Sequence, residues 1–297
     1  MDKINMITRA TEKEAGLSSA ERQEPNIGNL LLNAGKIKPQ DSERILKMQK
    51  EQNLRFGEAA IKLGLVTEGD IQQALAAQYK YAFLAPGDQN LSPELLAAYQ
   101  PFTPEVESLR ALRTQLKLRW FNEMHKHLAI IAPTEGCGCS FHAANLAVVF
   151  AQLGERTLLI DGNLRTPRQH LIFNLGNHGG LAEILGARVD HAPIVHPPKL
   201  GGLGVLPAGA TPPNPGELLS RGTLHALLAQ LDEHFDVILI DTPPAMPFTD
   251  AQAIAAACGG ALLIAQQNRT RLDDLATIKE NLTATGATIA GVVLNKF

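Results

Sequence analysis

Cysteine is scarce in this chain, with Cys137, Cys139 and Cys258 the only three among 297 residues. So small and odd a set builds no disulfide framework, and a reducing compartment such as the cytoplasm is the expectation. Aromatic side chains make up 5% of the sequence, and the three tyrosines, Tyr79, Tyr81 and Tyr99, all fall in its first third. The formal net charge of −3 gives no basic field for nucleic acid. Apolar runs such as residues 262–265 are far shorter than the ~20 residues of a membrane span, and no secretory signal opens the sequence. Any place at the inner membrane is therefore expected through a partner. What is present, 45% hydrophobic and 19% charged residues, suits a globular chain of one α/β domain and a smaller one.

Residues 1–24 are polar, mixed in charge and without apolar period, and read as a tail. Residues 26–49 then repeat as residues 55–78, matching Gly28 with Gly57, Gly35 with Gly64, Asp41 with Asp70, Leu46 with Leu75 and Gln49 with Gln78. Each copy predicts a short helix, a glycine turn and a second helix whose start carries Asp41 or the pair Thr67 and Asp70. A small helical domain over 25–84 is expected, followed by a linker over 85–104 that holds Pro86, Gly87, Pro93, Pro101 and Pro104.

Beyond residue 105 short Val, Ile and Leu runs at 127–133, 156–161, 202–207, 236–241, 260–266 and 288–295 alternate with helical patterns at 140–153, 214–234 and 273–285. Continuous apolar runs of this length predict parallel strands covered on both faces, hence an α/β, doubly wound and mostly parallel sheet. Phosphate sites in such sheets form at the carboxyl ends of strands. There the sequence sets Gly136, Cys137, Gly138, Cys139, Ser140 and Phe141 between a strand and a helix, where glycines let backbone N–H groups converge on an anion. Asp161 and Asp241 each close an apolar strand, an arrangement that suits Mg²⁺ held between protein and phosphates. Cys139 stands where a P-loop has lysine.

The combination of that loop, Asp161-Gly162-Asn163-Leu164-Arg165 and Asp241-Thr242-Pro243-Pro244 resembles the bacterial tyrosine kinases of polysaccharide export, relatives of the deviant-Walker P-loop NTPases. Glu107, Arg110 and Arg113 match the family's ExxRxxR oligomerisation helix, and residues 291–295 match a further motif. The resemblance implies ATP or ADP with Mg²⁺ at Gly136 to Phe141, metal ligation by Ser140, Asp161 and, through water, Asp241, and catalytic roles for Asp161, Asp241 and Arg165. It sets Asn295 near the adenine. It further implies a homo-oligomer, recruitment by a membrane chain-length-determinant (polysaccharide co-polymerase) protein, and a role in exopolysaccharide biosynthesis. Departures are Cys139 for lysine, Asn163 for the second aspartate, and no tyrosine after Tyr99. A non-catalytic scaffold and a partitioning-type ATPase are the competing readings.

The N-terminal repeat resembles the N-terminal domain of type II secretion and pilus ATPases, which implies cyclic di-GMP at Gly28, Gly35, Gln49, Arg55, Gly57, Gly64 and Gln78; docking to a partner is the alternative. Cys137, Cys139 and His142 could hold Zn²⁺ or Cu(I) only with a fourth ligand; small residues in a tight loop is the plainer account, and a redox-sensitive thiol pair at the helix start is the third.

Overall fold

The computed structural model describes residues 27–71, 74, 84, 91–176, 179–189 and 192–296. The expected tail, Gln78 and residues 85–90 of the expected linker lie outside this set. Contacts divide the chain into two compact units, residues 1–80 and 81–297.

In the first unit, helices span Ile27–Asn33, Pro39–Gln52 and Phe56–Lys62. Equivalent positions of the two copies do equivalent work. Gly35 and Gly64 turn the chain at φ 66° and 67°, and the following Lys36 and Leu65 donate back to Leu31 O and Ala60 O, a helix-ending motif that favours glycine. Asp41 and Asp70 accept from the backbone of Lys38 and Thr67 at 3.0 and 2.9 Å, closing the start of the next helix. The core pairs Leu31 with Ala60, Ile37 with Val66 and Ile45 with Ala74 across the repeat, all buried.

The second unit is built on six parallel strands, β1 (His127–Ile131), β2 (Thr157–Asp161), β3 (Leu203–Leu206), β4 (Val237–Asp241), β5 (Gly260–Gln266) and β6 (Thr288–Asn295), in the order β3-β2-β4-β1-β5-β6. Successive side chains of a strand face opposite ways. Leu128 and Ile130 thus join Leu239 and Leu262 beneath the helices Pro104–Arg119 and Cys139–Gln152, while Ala129 and Ile131 join Ile240 and Leu263 beneath Thr223–Leu231 and Asp250–Cys258. The helix expected over 214–234 is broken into Pro215–Ser220 and Thr223–Leu231, because Arg221 is extended ahead of Gly222.

The expected linker is in part a packed strap. Leu91, Leu95, Ala97 and Ala98 are buried, Ala97 N donates to Asn145 Oδ1 at 2.9 Å, and Gln152 Nε2 donates to Ala97 O at 2.8 Å. The prolines here mark corners, and the leucines and alanines between them supply the apolar contact that a free connector lacks. Among the described residues no helix is long and apolar enough to cross a membrane.

Candidate nucleotide-binding site

The turn from β1 into the helix Cys139–Gln152 depends on Gly136 and Gly138, at φ 80° and 90°. A β-carbon on Gly138 would lie 2.7 Å from Asn295 Nδ2, and that amide donates to Cys137 O at 3.0 Å. The loop is thereby held from the end of β6 while it borders a cavity of about 270 Å³, lined by Thr134 to Phe141 together with Asn163, Thr166, Pro167, Arg168, Thr242 and Pro244. A second cavity of about 510 Å³, lined by Ser108, Leu112, His142, Val293, Asn295 and others, meets it at Phe141, which borders both.

Asp161 and Asp241 are register partners at the ends of adjacent strands, and both are wholly buried. Asp161 Oδ1 accepts from Asn163 N at 3.2 Å, and Oδ2 accepts from Arg168 N and Gln169 N at 3.0 and 2.9 Å. Gln169, which sequence reasoning missed, ties the acids together: its Nε2 donates to Asp241 Oδ2 at 2.8 Å and to Ser140 O at 3.2 Å. Asp241 Oδ1 and Gln169 Oε1 are buried with no hydrogen-bond partner. Burial, and then the charge of Asp241, pushes the Asp161 carboxyl up to about 8. Burial also raises Asp241, against the opposing influence of Ser140, Gln169 and Cys139. An orphaned buried carboxylate oxygen beside a hydroxyl and a second acid is a hard, all-oxygen donor set, which fits Mg²⁺.

The other candidate residues are placed as follows. Arg165 does not line the loop cavity; its guanidinium clamps Asp250 through bonds of 2.7 and 3.1 Å and lies 3.9 Å above the Phe248 ring. Arg168, three residues on, lines that cavity instead. Arg113 donates to Val149 O at 2.7 Å and Arg110 pairs with Glu107 on the same helix, so both arginines have intramolecular partners. The two loop thiols diverge, Cys137 Sγ lying 3.3 Å from Thr134 Oγ1 and Cys139 Sγ donating to Ile130 O at 3.0 Å. His142 Nδ1 is 2.8 Å from Gly138 O. No group of three or more His, Cys, Asp or Glu side chains able to hold a metal occurs among the described residues. Burial, followed by Asp241, holds the Cys139 thiol well above its usual range, so this is not a reactive thiolate. In the first unit, β-carbons on Gly28 and Gly57 would lie 3.2 Å from Phe56 and Ile71. Helix packing therefore accounts for Gly28 and Gly57, while the positive φ of the turns accounts for Gly35 and Gly64. Exposed Arg55 and half-buried Gln49 are the side chains left facing outward among the described dinucleotide candidates.

A parallel sheet whose glycine loop leads from β1 into a helix, with acids closing β2 and β4, is a P-loop NTPase fold. No protein-family profile matches the chain. A candidate tyrosine-protein kinase, CapB of Staphylococcus aureus, is 33% identical over 213 residues, which are 72% of this chain and 93% of that protein. The tyrosine-protein kinase Etk of Escherichia coli is 32% identical over 200 residues, 67% of this chain and 28% of that much longer one. The solved kinase domain of Etk superposes with a TM-score of 0.67 at 32% identity, covering 73% of this chain and 85% of that domain. The septum site-determining protein MinD of Pyrococcus horikoshii, solved with Mg-ADP, shares the fold at TM-score 0.52 and 22% identity, covering 59% of this chain and 71% of that one. The chain belongs to the bacterial tyrosine kinase family.

Proposed function

We propose that residues 81–297 bind Mg²⁺ and ATP in a kinase-family site of weakened phosphotransfer, and that the protein regulates exopolysaccharide chain length or export. The observation that carries this reading is the buried, unpartnered Asp241 Oδ1 beside Asp161 and the glycine loop. Ser140, Asp161 and Asp241 would hold the metal, with Asp161 also fixing the turn that begins at Asn163. Mg²⁺ when bound neutralises charge on the β- and γ-phosphates. The N–H groups of Gly136 to Phe141 would cradle the phosphates, and the larger cavity would take the base beside Asn295 and Phe141. Cys139 offers no cation, and losing one charge-assisted contact costs about 1.5–3 kcal/mol; the loss falls hardest on the transition state. A membrane co-polymerase partner and homo-oligomer formation follow from the family resemblance. The N-terminal unit would modulate assembly through cyclic di-GMP or a docked partner.

Calorimetry of the intact chain with ATP and Mg²⁺ tests the site, and absence of binding overturns it. Mass spectrometry after incubation with ATP separates the alternatives: phosphotyrosine marks a kinase, ADP alone a partitioning-type ATPase, and neither product a scaffold. Cyclic di-GMP titrated in the same way decides the role of Arg55 and Gln49.

A further inference from the structure

The loop cavity lacks the cation expected at position 139 and is lined by another, Arg168. At position 139 a thiol replaces the ammonium and is directed to Ile130 O, 3.0 Å away. Arg168 lines the same cavity as Gly136, Gly138 and Ser140. Its backbone is not loose, since Arg168 N donates to Asp161 Oδ2 at 3.0 Å and anchors the residue to the acid pair. Its side chain is half-exposed and forms an ion pair with Glu94 of the strap at 2.7 Å. Glu94 is fixed in turn, for its carbonyl accepts from Asn145 Nδ2 at 2.9 Å.

We propose that Arg168 supplies the phosphate-binding charge that position 139 lacks, and that Glu94 holds it as a latch which nucleotide phosphates displace. This rests on the nucleotide reading above. An exposed ion pair of this kind contributes little, whereas a guanidinium on phosphate makes forked, charge-assisted bonds about twice as strong as neutral ones. The exchange therefore favours phosphate. Two other arginines nearby do not line the cavity. Arg165 clamps Asp250, and Arg269 lies against Gly136 outside the cavity, donating to Glu135 O at 3.1 Å and Gln266 Oε1 at 3.2 Å.

The test is calorimetric titration of the intact chain with ATP and Mg²⁺ for the natural protein, Arg168→Gln, Glu94→Gln, Cys139→Lys and the double variant Arg168→Gln/Cys139→Lys. Arg168→Gln is expected to weaken ATP binding about tenfold or more. Glu94→Gln, which removes the competitor, is expected to strengthen it. Cys139→Lys should restore affinity in the Arg168→Gln background, because two cations serving the same phosphates are coupled. A natural protein that binds ATP while Arg168→Gln binds equally well overturns the assignment and leaves the nucleotide reading standing. A natural protein that binds no nucleotide overturns both. Weakening by Glu94→Gln to match Arg168→Gln marks the pair as a structural brace and also overturns the assignment. If Arg168→Gln melts abnormally, the direction of the Glu94→Gln change decides.

Discussion

Asp241 keeps one carboxylate oxygen out of water without a hydrogen bond, and a buried charge in that condition costs free energy until a cation or proton joins it. The consequence is a definite pH dependence. The Asp161 carboxyl titrates at about 8 in the folded protein against 3.8 ordinarily, so the unfolded chain sheds its proton first. The contribution of Asp161 to the stability of the ligand-free protein is then full below about pH 4 and is lost as pH rises to about 8, where the folded state ionises too. Thermal melts across that range should show the decline, and Mg²⁺ with ATP should flatten it. Asp241→Asn should raise the melting temperature of the ligand-free protein near pH 8 and abolish Mg²⁺-dependent nucleotide binding; a variant that melts lower and binds normally contradicts the assignment. Residues at this scale were unevenly legible. Asp161 and Asp241 stood out because each ends an apolar run, whereas Gln169 and Arg168 carry no strand signal and gain their place only when the turn after β2 folds back over the acids.

Elements were more legible than their packing. The strands β5 and β6 have the bounds expected from the runs 260–266 and 288–295; β5 is buried, as a continuous apolar run predicts, whereas β6 is an edge strand that leaves Val292 and Leu294 exposed. The strap over 91–103 was not legible as a packed segment, because proline corners look alike whether the chain between them is free or buried. Close approaches between elements were also hidden. Trp120 ends the helix Pro104–Arg119, donates through Nε1 to His127 O at 3.0 Å, and covers Gly260 so tightly that a β-carbon there would fall 2.1 Å from the indole. Gly260→Ala should therefore cost about 1–3 kcal/mol of stability in chemical denaturation. Gly138→Ala meets both a left-handed φ and the Asn295 amide, and should lower ATP affinity more than global stability, as paired calorimetry and melting would record.

For the whole molecule, Asp161, Asp241, Ser140 and both cavities fall within residues 81–297. Removing residues 1–80 should therefore leave a chain that melts cooperatively and binds ATP within about threefold of the intact protein; a chain that loses affinity would show that the first unit contributes directly. Two different periodicities were legible in the sequence, the repeat at the start and the alternating strands after it. Where the first ends and the second begins was not, since the boundary rests on burial of Leu91, Leu95 and Ala98 rather than on any breaker residue.

The strap meets the turn after β2 twice, through Ser92 N to Ile172 O at 2.9 Å and through the Glu94 carboxylate on Arg168 at 2.7 Å. One of these fastenings is insensitive to charge and the other is not. A phosphate that draws Arg168 inward would leave the strap joined to that turn by its neutral tie alone, so residues 91–103 would register whether the loop cavity is filled.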